Sequence, residues 1–511
     1  MLDPRKYNTE ASFVSFQSMQ SLRDQPFPRS PEGFWEMERQ AFEIATGLAD
    51  QVMSTKIIEA HRDEVFVREA VKAVKTSSTV RLLNKGWQVT SVLLLGGTRL
   101  VLKTPYLRED HKGKSGRKRR KRGPQGTGRY PVLEALGIAH KVSPATRSEM
   151  SLYLVQAGGY QEAVEMLRRR ALSCDISTLV RVVDATAQTS TSLRDAALAA
   201  ALEQPVAHQT PLAGKRIRIS VDGGRVRTRK QRRGRKTRRG RHKFDTPWRE
   251  PRVLVIDVVN EQGKSDPLRL PLYDVLIDNA DAAFAMIIGY LRLLGAARAS
   301  EVVFIADGAD RIWERVERLM TQAEIPAEKL RLVLDFYHAS EHLAEAVQLC
   351  RNMKPKERKA LYESQRHTLR HEPDGVEQVI EALKQRSITR RGKKMKKALR
   401  YFEKHIAHMK YAALDEMKLP VGSGQVESAV RRIINLRFKA PGSFWLESRV
   451  ARLMHLRAFF KAGRWNELMK NVLNGTYEMP NLDAPARVPR RRLRLVKNSE
   501  TSYSTELKEA A

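Results

Sequence analysis

Cysteine is nearly absent. The 511-residue chain holds two, Cys174 and Cys350, and no C-x-x-C pair. This excludes a disulfide framework and a cysteine zinc site, and predicts a reducing, intracellular compartment. Long apolar runs are lacking as well. The longest, AAFAMIIGYLRLLGAA (282–297), is interrupted by Arg292. It is too short to span a bilayer, so it reads as a buried helix and no membrane partner is expected. The opening MLDPRKYNTE has no apolar signal core. Acids are scarce beside bases: 58 Asp and Glu stand against 93 Lys and Arg, a net charge of +35. That excess favours a polyanionic partner, because bound cations displace the counterions condensed on phosphates.

The basic residues are clumped. KGKSGRKRRKRG (112–123), RVRTRKQRRGRKTRRGRHK (225–243), RRGKKMKK (390–397) and RVPRRRLRLVK (487–497) carry much of the charge. One such run could be a solvated loop, but four point to nucleic-acid contact. Within the second run, Arg225, Arg227, Arg229, Lys230, Arg232 and Arg233 are the predicted contacts. Phosphate contacts of this kind position DNA without reading its sequence.

The length predicts about two to four domains. Residues 1–142 read as an N-terminal helical and β-hairpin region with a basic loop. Ser30-Pro31 starts a helical stretch reaching about residue 75, and two strands flank Gly96-Gly97 within 87–107. Residues 143–210 form a helix-turn-helix-like segment. Ser143-Pro144 opens a first helix, YQEAVEMLRRR is a second, and ISTLVRVVDAT, capped at Ser177, is a third. This is either a DNA reader or a plain three-helix packing unit.

At residue 213 the pattern changes to strands, at 215–224, 251–261, 266–276, 301–310 and 331–338, with helices after the third and fourth. Hairpins join the first three. Right-handed crossovers set the fourth beside the first and the fifth outside it. The expected fold class is α/β, a mixed sheet in the order 3-2-1-4-5. The first part of this core spans 213–338. A helical insertion covers 339–420, and the core resumes at 421–466. Residues 478–511 read as a basic disordered tail.

Asp222 ends the first strand in SVDGG, and Asp307 ends the fourth in FIADG. In the proposed order both emerge at one sheet edge, where open α/β sheets bind ligands. The adjoining Gly223, Gly224 and Gly308 would let a bulky ligand approach the backbone. Two Mg²⁺ ions about 3.5–4 Å apart can drive phosphodiester chemistry, and such hard cations take carboxylate oxygens. Glu427, in the first turn of a helix opening within LPVGSGQVESAVRRI, is the candidate third acid, with Arg431 and Arg432 beyond it as possible phosphate contacts. Each acid alone has a structural reading as a strand-to-turn junction or a helix cap. Among the competing acids, Asp257 sits inside the second strand, Asp278 leads into a helix and Asp310 caps one. Asp335, His338 and His342 could be a metal cluster or a cap with satisfied histidines.

Four motifs, SVDGG, FIADGADRIW, LDFYHASEHL and LPVGSGQVESAVRRIINLRFKAPGSFW, resemble signatures of bacterial insertion-sequence transposases of the ISKra type, which are DDE transposases related to the Mutator superfamily. The resemblance covers about 213–466. It implies an RNase H-like core interrupted by a helical insertion before the final glutamate. It implies catalytic, metal-binding Asp222, Asp307 and Glu427, with two Mg²⁺ (or Mn²⁺) ions. Asp335 and His338 match a D-x-x-H element with a supporting role. The implied reaction is cleavage at transposon ends, then attack of the 3′-OH on target DNA. The implied partners are transposon and target DNA and a second copy of the chain, at least a dimer, on the nucleoid of a bacterial cytoplasm. Members of that family often carry cysteine pairs after a segment like TPYL. Here KTPYLREDHKGKSGRKRRKRG has none, so end binding is expected to rest on the basic loop and the 143–188 helices. Two rivals remain: an RNase H-like nuclease or resolvase without strand transfer, and a catalytically silent DNA-binding descendant of a transposase.

Overall fold

The computed structural model describes residues 17–109, 128–204, 210–238, 240–277, 280–350, 352–386, 392–440 and 442–483. The basic runs 112–123 and 487–497, Asp278 and most of the expected tail lie outside the described residues.

Ser30 opens helix α1 (Pro31–Arg62), its hydroxyl accepting a hydrogen bond from the Gly33 amide at 3.0 Å. The expected helical stretch divides at Asp63. This carboxylate accepts from the Val65 and Phe66 amides and caps α2 (Glu64–Ser77). Strands β1 (Leu82–Leu93) and β2 (Arg99–Glu109) pair antiparallel. Asp50 of α1 is buried and accepts from the Gly96 and Thr98 amides at 2.8 and 2.9 Å, pinning their turn to the helix.

Helices α3 (Pro144–Gln156) and α4 (Tyr160–Arg168) follow as expected. The next differs: α5 runs Ile176–Glu203, and its cap is Asp175, not Ser177. Ser177 instead donates to the Asp175 carboxylate at 2.6 Å. The helix continues because the segment after residue 188 is alanine-rich and free of glycine and proline until Pro205. Its buried Leu179, Val182, Val183 and Ala187 join Met150, Leu154 and Leu167 in one apolar cluster with sheet residues Val253 and Val255. These helices therefore pack as a layer against the sheet.

The sheet comprises β3 (Arg216–Gly223), β4 (Arg252–Val258), β5 (Leu272–Leu276), β6 (Glu301–Ala306) and β7 (Leu330–Leu334). Its order is β7-β6-β3-β4-β5, the neighbour order expected from sequence. β3, β6 and β7 run parallel; β3, β4 and β5 alternate. The third strand is shorter than expected, because Pro267 and Pro271 cannot donate to the ladder and pairing starts only at Leu272.

One sheet face is apolar. Ile217, Ile219, Val302 and Phe304 pack under α6 (Ala280–Leu294) and α7 (Asp310–Gln322). The other face is divided. Over β6 and β7 lies the helical insertion, α8 (Phe336–Gln348), α9 (Pro355–His371), α10 (Gly375–Gln385) and α11 (Lys393–His405), with its own cluster including Val303, Ile305, Val333 and Leu343. Over β4 and β5, α13 (Glu447–Lys461) joins the α3–α5 cluster. Between these halves β3 presents Arg218, Ser220 and Asp222, and helix α12 (Gly424–Val430) contacts β3 and β4. The core extends past the expected 466. Leu482 is 1 % exposed, and Asp483 pairs with Lys215 at 2.8 Å.

A buried polar network ties these layers together. Asp274 of β5 accepts from Arg194 (2.9 Å), from the Tyr290 hydroxyl (2.6 Å), and pairs with His455 Nδ1 at 2.9 Å, while Ser190 Oγ lies 2.9 Å from His455 Nε2. The Ser190–His455–Asp274 spacing has the form of a hydrolytic triad. However, Ser190 is 6 % and His455 1 % exposed, so the constellation serves packing. Asp257, expected inside a strand, is likewise committed, to a buried bidentate pair with Arg218 at 2.7 and 3.0 Å. Among the described residues no helix is long and apolar enough to cross a membrane.

Candidate active site

Register brings the acids together. Val221 of β3 lies opposite Ala306 of β6, and Ala306 lies opposite Leu334 of β7. The next residues on these parallel strands are Asp222, Asp307 and Asp335. Neighbouring strands sit about 4.8 Å apart, and aligned residues of parallel strands share a face. That face is the divided one, since Ile305 and Val333, two positions before Asp307 and Asp335, belong to the insertion's cluster.

Two of the three aspartates are open to chemistry and one is not. Asp222 is pushed up to about 6, first by burial, then by the negative charges of Asp307 and Glu427; its bond from the Gly223 amide and the nearby His338 pull the other way. The four residues Asp222, Asp307, Glu427 and His338 thus share one electrostatic neighbourhood. Asp307 accepts from the Ala309 amide at 3.2 Å, and its carbonyl holds the Trp313 indole N–H at 2.7 Å. Asp335, by contrast, is 1 % exposed and turned inward. One oxygen caps α8 through the His338 amide at 2.9 Å; the other accepts from the Ser423 amide. Both oxygens are engaged by backbone, and among the described residues Asp335, His338 and His342 are not gathered into a metal-holding group. His342 instead stacks on Tyr401, ring centroids 3.9 Å apart.

Asp335 is what returns the chain to the sheet. The Phe336 amide donates to the Val421 carbonyl at 3.0 Å beside the Asp335–Ser423 bond. Residues 421–423 are therefore stitched to the end of β7. Four residues on, Glu427 stands exposed in the first turn of α12, with Ser423 Oγ 3.4 Å from its carboxylate. Asp335→Ala would leave the Ser423 and His338 amides without acceptors. We expect a stability loss of about 2–4 kcal/mol in denaturant titration, and a smaller loss for Asp335→Asn, which keeps one acceptor. Unchanged stability would show that the carboxylate is not structural.

The glycines act differently from expectation. A Cβ on Gly224 would meet Ile434 Cδ1 at 2.6 Å, one on Gly308 would meet the Tyr401 ring at 2.5 Å, and one on Gly422 the Tyr337 ring at 2.7 Å. Protein side chains, not a ligand, fill the space these glycines leave. Gly424 has open space around it. The Gly308 contact reveals a residue the sequence reading missed. Tyr401, from α11 of the insertion, has a buried hydroxyl with no hydrogen-bond partner among the described residues. Burial, then Asp307, Asp335 and Glu341, hold this phenol well above its usual range, so it is a neutral donor beside the acids. It lies in ALRYFEKH, within the stretch expected only to be a helical insertion, and the fold of that insertion brings it here.

The expected phosphate contacts also separate. In the insert between β3 and β4, Val226 and Thr228 are buried while Arg225, Arg227 and Arg229 alternate outward. Lys230, Arg232 and Arg233 continue exposed, with Arg232 bonded to Asp245 at 2.6 Å. Arg431 is exposed. Arg432 is half-buried and partly committed: it donates to the Tyr273 hydroxyl at 2.9 Å and lies over that ring, tying the π-helical turn Arg431–Asn435 to β5.

Among the described residues, no group of three or more His, Cys, Asp or Glu side chains is drawn close enough to hold a metal ion. Like charges repel, and hydrogen bonds from Gly223, Ala309 and Ser423 hold the carboxylates individually. The donor set still fits a hard divalent cation in kind: acidic oxygens at one sheet edge, one of them raised by burial and then by its neighbours' charge. No family model matches the chain, and no curated protein matches it.

Proposed function

We propose that this chain is a DDE transposase, a metal-dependent polynucleotidyl transferase that cleaves DNA at transposon ends and joins the 3′ ends to target DNA. The observation carrying this reading is the alignment of Asp222 and Asp307 on adjacent parallel strands, with Glu427 near enough to raise Asp222. We read the five-strand order, with its antiparallel β3-β4-β5 half and parallel β3-β6-β7 half, as an RNase H-like core. Asp222 and Asp307 would hold two Mg²⁺ or Mn²⁺ ions jointly, and Glu427 would complete the shell of one. When bound, the ions activate the attacking oxygen and stabilise the leaving oxygen of the phosphodiester. Asp335 keeps Glu427 in place through Ser423, and the Tyr401 hydroxyl supplies a neutral donor beside Asp307. The outward arginines of the β3–β4 insert hold DNA backbone next to the acids. Two transposon ends must be joined, so the working species is a homo-oligomer, at least a dimer.

The test is strand transfer. The protein, Mg²⁺, a pre-cut 3′-OH transposon end and a supercoiled plasmid are combined, and covalent end–plasmid joints are sought on a denaturing gel. Joints support the transposase reading. Cleavage without joints in the same mixture identifies a nuclease or resolvase, and neither product identifies a silent DNA-binding protein.

A further inference from the structure

The insert between β3 and β4 carries more than charge. Its two short antiparallel ladders, Val226–Arg227 with Trp248–Arg249 and Lys230–Gln231 with Phe244–Asp245, make a two-stranded ribbon. On it Trp248 is 54 % and Phe244 41 % exposed. The Arg227 guanidinium lies 5.0 Å from the Trp248 ring centre and 6.0 Å from that of Phe444. Arg229 lies 5.5 Å over Phe244, and Phe244 and Phe444 sit 5.8 Å apart. Three rings and two guanidinium planes form one cluster.

A ribbon that only gripped phosphates would need no exposed rings, since arginines alone suffice. Aromatic residues are only 7 % of this chain, yet two are left open to water on a ribbon of alternating arginines. Exposed rings interleaved with arginine are the recognition chemistry of unpaired bases, whose π faces stack on the rings while guanidinium groups meet the backbone. Paired bases inside a duplex do not offer those faces. The platform is also rooted. The Arg229 amide donates to the Trp445 carbonyl at 2.6 Å, the Trp445 amide to the Arg227 carbonyl at 3.2 Å, and Arg249 pairs with Glu447 at 2.7 Å. It leaves the sheet at Gly223, directly after Asp222.

We infer that this ribbon is a stacking platform for unpaired nucleobases, so that the DNA held beside the acids is single-stranded or opened at the ribbon. This deepens the DNA-processing reading and rests on it for the nature of the substrate.

The test is equilibrium binding by fluorescence anisotropy of the full chain, at matched salt. The probes are an oligothymidylate, an abasic oligomer of equal length, and a duplex. The wild type is expected to bind the oligothymidylate about 10-fold or more tighter than the abasic strand. Phe244→Ala with Trp248→Ala is expected to erase that preference while duplex affinity stays near wild type. Trp248→Phe, which keeps a ring, should retain most of it. Both side chains are exposed to water in part, and circular dichroism melting checks the fold. Equal wild-type affinity for the two single strands, or a preference surviving in the double variant, overturns the inference. The functional reading fails separately: a base preference without metal-dependent cleavage or joining removes the transposase and leaves the platform, and cleavage without the preference does the reverse.

Discussion

Asp222→Asn is expected to reduce metal-dependent DNA cleavage on the order of 10³-fold or more, while raising the melting temperature of the metal-free protein at pH 8. The two effects have one cause. Asp222 is half-buried beside Asp307 and Glu427; burial first, then their negative charges, push its carboxyl up to about 6. A folded-state value above the unfolded one means that the protonated form is favoured by folding. That contribution is fully present below the ordinary carboxylate range near pH 4 and is lost as pH rises through about 6. At pH 8 the ionised group is therefore a burden on the metal-free fold. A neutral amide of the same shape removes about 1–2 kcal/mol of it, allowing for the partial exposure of the group. The same negative field is what would attract a cation, so Mg²⁺ should raise the melting temperature of the wild type and not of the variant. Wild-type cleavage by Asp222→Asn would remove the metal-site hypothesis. A variant that melts lower than wild type at pH 8 would show that the ionised Asp222 carboxylate is not a burden on the metal-free fold.

Asp274→Ala is expected to destabilise the protein by about 3–5 kcal/mol, because it strands the Arg194 guanidinium in the core. Burial alone would raise Asp274. Arg194 first, then His455 and the Tyr290 hydroxyl, overcome that and hold the carboxyl below its usual range. A depressed folded-state value reverses the sign found for Asp222. The stabilisation is complete above the ordinary carboxylate range and disappears only as pH falls below it. Urea titrations at pH 7 and pH 3 check both statements: the gap between wild type and variant should be wide at pH 7 and narrower at pH 3. An equal gap at both values would assign the loss to packing alone. Arg194 lies on α5, Asp274 on β5 and His455 on α13, so the variant should loosen the N-terminal helices from the sheet along with the core.

The sheet was legible because its signals are short-range. Apolar strands ending in Asp-Gly, and helices between them, are patterns of a few residues, and right-handed crossovers leave one order for the fourth and fifth strands. The alignment of Asp222 with Asp307 follows from that order. Helix α5 was read too short because its buried positions turn polar (Thr186, Ser190 and Arg194), and their partners come from distant segments: Arg147 for Thr186, His455 for Ser190 and Asp274 for Arg194.

What the sequence by itself determined is the composition of the site: two aspartates at strand ends, a glutamate at a helix start, and a basic insert beside them. Only the tertiary structure decided how each member is used. Asp335 and Asp222 hold the same register position, yet Asp335 is taken up by the Ser423 amide, 88 residues away in sequence. Arg432 follows Arg431 directly, yet Tyr273 holds it against the sheet. Tyr401 enters the site from an insertion legible in the sequence only as helical. A carboxylate or guanidinium serves a ligand only where its backbone and side-chain partners leave oxygens or N–H groups open. Those partners arrive from distant segments, so availability is a property of the packed chain and not of any local motif.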